Sequence, residues 1–134
     1  RPRPTNMGLD QYAYSISKPD MDLLKTQEYL DGELGIESQE ELAYWRKHAD
    51  LNGYMEEMYH RQGHMHDFNG QPLELDEADL LELKRVVEAD SLETATGFFW
   101  GASDERDKEP TLEFIDKALK AISEGKVVYY CCSW

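Results

Sequence analysis

Three clusters of side chains in this 134-residue sequence are of types that can do chemistry. The first is Tyr44-Trp45-Arg46-Lys47-His48, a basic turn in an otherwise acidic chain. An arginine fork can hold a phosphate or carboxylate, and a histidine can give or take a proton near neutral pH. One reading puts Tyr44, Trp45, Arg46, Lys47 and His48 at a cleft, with Arg46 anchoring an anionic ligand and His48 as general acid or base. The other makes Arg46 an internal ion-pair partner, for which Asp10 is a candidate. In that reading Trp45, spaced with Leu42 and Ala49, belongs to the core.

The second cluster is His60, His64 and His66, near Glu57 and Asp67. Three imidazoles within seven residues are an alternative metal-ligand set. However, H-x3-H-x-H is not a zinc spacing, and the single E-x-x-H pair falls short of a helical di-metal site. The plainer reading is exposed histidines near a helix end. The third cluster, Cys131-Cys132-Ser133-Trp134, offers two thiols. A nucleophilic thiol needs a nearby base or cation, whereas a cysteine in an aromatic, β-branched run usually behaves as a small core residue. Adjacent cysteines on a strand point to opposite faces, which excludes an unstrained disulfide between them. Two reduced thiols suit a cytoplasmic setting. No phosphate loop, dinucleotide fingerprint, C-x-x-C pair, nucleophile elbow or H-E-x-x-H motif is present, so no cofactor is expected.

The elements that must position these groups are read from periodicity. Tyr12, Tyr14 and Ile16 alternate with small or polar residues and predict a strand with one buried face, ended by Lys18-Pro19-Asp20. Met21, Leu23, Leu24 and Leu30 suggest a short helix over 20–30. Ser38 with Glu41 reads as a capping box opening a long helix over Ser38–Gly63, with Leu42, Trp45 and Ala49 on one face. Asn52-Gly53 is a weak point in it, and Gly63 is a stop. A loop follows, with a short strand at Asp67-Phe68 and a strand remnant at Leu73 and Leu75. Asp76 caps a helix over Glu77–Ala89. Gly97-Phe98-Phe99-Trp100-Gly101 reads as a buried strand. Pro110 opens an amphipathic helix through Ile122, closed by Gly125. The final VVYYCCSW is a strand. The expected fold is α+β: a single domain with a small mixed or antiparallel sheet of short strands packed against three to four helices. Arg1–Asn6 is expected to be a flexible arm or an expression remnant, and 7–134 the domain.

Charge narrows the partners. Acidic residues number 28 against 14 basic ones, a net charge of −14. Such a balance repels phosphate backbones and anionic lipid, so direct nucleic-acid binding is disfavoured and a basic protein partner favoured. Carboxylates at Asp76, Glu77, Asp79, Glu82 and Glu88, and again from Asp104 to Asp116, form either a solvated surface or a mimic of a phosphate backbone. No apolar run is long enough to span a bilayer, and no secretory signal pattern is present.

Several fragments carry a family likeness: Met7-Gly8-Leu9-Asp10 before an aromatic strand, Tyr44-Trp45-Arg46-Lys47, Gly97-Phe98-Phe99-Trp100-Gly101, and the ending Tyr129-Tyr130-Cys131-Cys132-Ser133-Trp134. In this order they resemble a family of small uncharacterised proteins of tailed phages and bacterial genomes. The resemblance implies a small accessory protein that binds a host or viral macromolecule, in host takeover or counter-defence, within the host cytoplasm. A small enzyme or binder of an anionic ligand around Trp45, Arg46 and His48 is the alternative. A virion component is a third.

Overall fold

A computed structural model describes residues 8–24, 38–65, 67–95, 103 and 105–134 of the chain. Among the described residues four strands form one antiparallel sheet. In chain order the elements are β1 (Asp10–Ile16), α1 (Lys18–Leu24), β2 (Glu40–Arg46), α2 (Ala49–Arg61), β3 (Leu73–Leu75), α3 (Glu77–Glu88), a 3-10 turn (Glu105–Asp107), α4 (Lys108–Ser123) and β4 (Val127–Ser133). The sheet order is β2-β1-β4-β3, so the first and last strands pair at its centre. This is the expected single-domain α+β fold.

The strand register explains which side chains meet. Gln11 lies opposite both Trp45 and Cys132, and Ala13 opposite Ala43 and Tyr130. Because strand side chains alternate between faces, these residues share one face. Against it pack Leu51 and Met55 of α2, Leu80 and Leu83 of α3, and Phe114 and Ile115 of α4. Tyr12, Tyr14 and Tyr44 share the opposite face, with Tyr129. There Ile16 and Tyr129 pack with Met21 and Leu24 of α1 in a second, smaller core. The strand expected to bury Tyr12, Tyr14 and Ile16 on its one inner face therefore has two covered faces. The large core takes Ala13, Gln11 and Ser15 are also buried, and the tyrosines sit half-buried on the other side.

The single helix expected over Ser38–Gly63 is instead a strand, a corner and a helix. Tertiary pairing overrides the local helical pattern: β2 gains a full ladder against β1, a gain no local pattern contains. A register shift at Ala13/Tyr14 leaves Leu42 as an extra residue in β2. Leu42 and Ala43 both pack against the main core. Lys47 adopts φ +60° and donates its N–H to the Leu9 carbonyl, which turns the chain out of β2. The helix then runs from Ala49 without a break at Asn52-Gly53 and stops before Gly63, whose φ is +95°. Asp76 caps α3 as expected, in a reciprocal box with Asp79 (2.8 and 3.0 Å). No strand forms at Asp67-Phe68; Phe68 is instead buried between the rings of Tyr59 and Tyr130. The expected strand at Gly97–Gly101 and most of the expected helix over 20–30 lie outside the described residues. Among the described residues no helix is long and apolar enough to cross a membrane.

Candidate functional site

The end of β2 distributes the basic turn over two faces of the sheet. Arg46 stands directly across from Asp10, and its Nη1 donates to Asp10 Oδ1 at 2.7 Å. Tyr44 OH donates to the same oxygen at 2.7 Å. The Asp10 side chain is 3% exposed and that of Arg46 28%, so a nearly buried carboxylate is held by a half-buried guanidinium. Gly8 makes room for it: a Cβ there would lie 2.6 Å from Arg46 Nη2. Lys47 is exposed at the corner.

Trp45 points the other way, into the main core. Its ring meets Phe114 edge-on at 5.2 Å, and its Nε1 donates to Thr111 Oγ1 at 3.0 Å. Thr111 in turn donates to the Asp107 carbonyl at 2.7 Å. Trp45 thereby ties the first turn of α4 to the sheet. The five residues expected at a cleft, together with Asp10, thus divide into Asp10, Tyr44 and Arg46 on one face, Trp45 and His48 on the side of the helices, and Lys47 at the corner between them.

His48 is fixed through its main chain by Gln11. The His48 N–H donates to Gln11 Oε1 (2.8 Å), and Gln11 Nε2 donates to the His48 carbonyl (3.0 Å) and to Tyr130 OH (2.8 Å). Tyr130 OH passes the chain on to Asn52 Oδ1 at 2.6 Å. Gln11, Tyr130 and Asn52 are fully buried, so this polar string crosses the core out of reach of water. Asn52 Nδ2 is buried with no hydrogen-bond partner among the described residues. Burial pushes the Tyr130 hydroxyl well above its ordinary pKa and keeps it neutral.

The His48 ring lines a cavity of about 250 Å³. Asp50 from the first turn of α2 lines it as well, with Val87, Asp90 and Leu92 at and beyond the end of α3 and Ser103, Glu105 and Lys108 around the head of α4. Ser103 Oγ accepts the Asp50 N–H at 2.8 Å and lies 2.7 Å from His48 Nδ1. A hydroxyl oxygen can accept two hydrogen bonds, so this contact forms with Nδ1 either as acceptor or as donor, according to the ring tautomer. In the tautomer that carries its proton on Nε2, Nδ1 accepts the Ser103 hydroxyl hydrogen. Burial holds the His48 pKa below its ordinary value, partly offset by the charges of Asp107 and Asp50. Asp107 Oδ2 is 3.8 Å from the same Nδ1. His48 makes no side-chain cap to its own helix. Ser103 supplies that missing cap from 53 residues away, satisfying one of the free N–H groups at the start of α2. Asp50 Oδ1 reciprocates by accepting the Ala95 N–H at 3.0 Å. At the α3 end Lys108 Nζ pairs with Asp90 Oδ1 at 3.0 Å.

Among the described lining residues, three carboxylates face one ammonium. Of these residues only His48 stands out in the sequence as a candidate. Ser103 and Lys108 sit in and beside a charged loop with no spacing that links them to His48. A capless helix start after a positive-φ corner is the signal that a distant cap exists, and it appears only once the strand is known.

The other two clusters divide differently. His60 Nδ1 is 3.1 Å from the His64 carbonyl oxygen, and the His64 ring stacks on Tyr59 at 4.4 Å. His66 lies outside the described residues. Among the described residues no three His, Cys, Asp or Glu side chains gather in a metal-binding arrangement. Both cysteines are free thiols. Burial pushes Cys131 up to about 12 and Cys132 higher still, so neither is a thiolate at neutral pH.

Comparison with family models, with curated proteins and with solved structures finds no match to this chain.

Proposed function

We propose that the chain is a small accessory binding protein whose cavity beside His48 receives a positively charged group from a protein partner. The observation that carries this reading is the cavity lining: Asp50, Asp90 and Glu105 against Lys108, with His48 kept neutral by burial. A cationic side chain entering this space exchanges water for several carboxylate acceptors, and Val87 and Leu92 cover its aliphatic stem. The net charge of −14 draws a basic partner toward the surface before contact. An anionic ligand fits less well, because carboxylates outnumber Lys108 and Arg46 is engaged with Asp10 on the other face of the sheet. The resemblance of the sequence fragments to phage proteins supports a partner in the host cell, and host takeover or counter-defence is the role this reading proposes.

Calorimetric titration with an arginine-rich peptide tests it, beside the same peptide with its arginines replaced by citrulline. Saturable binding of the charged peptide alone, weakening as salt rises, is the expected result. Glu105→Gln and Asp90→Asn each weaken binding about two- to fivefold, the modest size of a solvent-screened pair. Equal binding of both peptides, or no heat from either at low salt, would remove the proposal.

A further inference from the structure

We propose that Ser103 and His48 form a nucleophile–base pair that gives the cavity an acyl-transfer activity toward esters. Four features of the geometry support it. Ser103 Oγ lies 2.7 Å from His48 Nδ1, and in the Nε2–H tautomer this nitrogen is placed to take the hydroxyl proton, the arrangement a general base needs. Asp50 N–H fixes the oxygen through one lone pair and leaves the other for attack. Asp107, 3.8 Å from the same nitrogen, stabilises the imidazolium that proton transfer creates. Lys108 lines the same space and supplies positive charge for a developing oxyanion. Gln11 holds the His48 main chain, and Trp45 and Thr111 hold the first turn of α4 that carries Lys108, so the base and the ammonium rest on anchored elements.

The step balances without a further reagent. Ser103 Oγ bonds to the acyl carbon as its proton passes to His48 Nδ1. The ester C–O bond then breaks, and the alcohol leaves with the proton returned by His48. Water repeats the sequence on the acyl-serine, releasing the carboxylic acid and restoring the hydroxyl. The substrate class rests on the binding proposal: with three carboxylates in the wall, an ester carrying a positive charge enters in preference to an anionic one.

The test uses the full chain with 4-nitrophenyl acetate, following nitrophenol release and locating the acetyl group by peptide mass mapping. Acetylation at Ser103 is expected, and His48→Gln slows it about 100-fold or more, the usual contribution of a positioned base. The rate rises with pH and has its midpoint below that of a free imidazole, because the buried His48 loses its proton earlier. The charged groups that share this titration are Asp50 on its own helix, Asp90 after α3, and Glu105, Asp107 and Lys108 at the head of α4. Ser103→Ala also removes the cap of α2, so Ser103→Thr, which keeps the hydroxyl, is run beside it and retains part of the rate. The 4-nitrophenyl ester of betaine reacts on the order of tenfold faster than that of succinate, each relative to its rate in buffer.

Acetyl groups only on lysines, or equal Ser103 labelling in folded wild type and His48→Gln, would overturn the inference. Equal betaine and succinate rates would overturn its substrate class. Peptide binding without Ser103 acetylation overturns this inference and leaves the binding proposal standing. Ser103 acetylation without peptide binding supports the inference and removes the binding proposal.

Discussion

Replacing Gln11 with methionine is the sharpest probe of how the fold holds His48. Methionine keeps nearly the same length and volume, so the cavity cost of truncation is avoided. What it removes is the hydrogen bonds that Gln11 makes in a fully buried position. The His48 carbonyl retains the Asn52 N–H at 3.2 Å, and Tyr130 OH still donates to Asn52. The His48 N–H has no replacement for Gln11 Oε1 among the described residues. One orphaned buried donor costs about 1–3 kcal/mol, and losing the remaining bonds adds about 1 kcal/mol. Gln11→Met is therefore expected to lower unfolding free energy by about 2–4 kcal/mol, roughly 10 °C in Tm for a domain of this size. Urea unfolding at neutral pH, followed by tryptophan fluorescence and circular dichroism together, measures it. A loss under about 0.5 kcal/mol with an unchanged m-value would refute the assignment of this string as the support of the site.

Other expectations follow from the same geometry. Arg46→Ala leaves the nearly buried Asp10 with only Tyr44 as a side-chain donor among the described residues; stability drops about 1–3 kcal/mol, and peptide binding in the folded fraction is unchanged. Loss of binding at an unchanged Tm would instead make Arg46 a site residue. Trp45→Phe keeps the core ring but loses the bond to Thr111, costing about 1–2 kcal/mol by chemical denaturation. Stability depends on pH through His48. Its folded pKa is depressed, so the unfolded chain binds the extra proton; its contribution is intact above about pH 6.5 and is lost as pH falls from there through the lower folded value. His48→Gln removes that part of the acid slope in melts recorded across this range, and an unaltered slope would contradict the buried neutral ring.

Much of the fold was legible because periodicity is local. The β-branched run before Trp134, the stripe Leu112-Ile115-Ala118-Leu119 and the Asp76 cap each report their element within one or two turns of chain. Ser38–Gly63 was not legible for a physical reason. Leu42, Trp45 and Ala49 do belong to one core, but a strand, a bulge and a corner deliver them there rather than one helical face. Only the distant partner strand Asp10–Ile16 decides between the two. The candidate site shows the same limit. His48 was visible as a titratable residue in a basic turn, and Asp10 as the mate of Arg46. The cavity was not visible, because Ser103 meets His48 across 55 residues and Lys108 meets Asp90 between two helix ends.

The most direct test of the binding account follows the His48 ring and the Ser103 and Lys108 amides by NMR during titration with the arginine-rich peptide. Saturable shifts centred on these residues are expected, needing about two- to fivefold more peptide in Glu105→Gln and reversed by high salt. Shifts confined to the outer surfaces of α3 and α4, with the His48 ring unmoved, would contradict it.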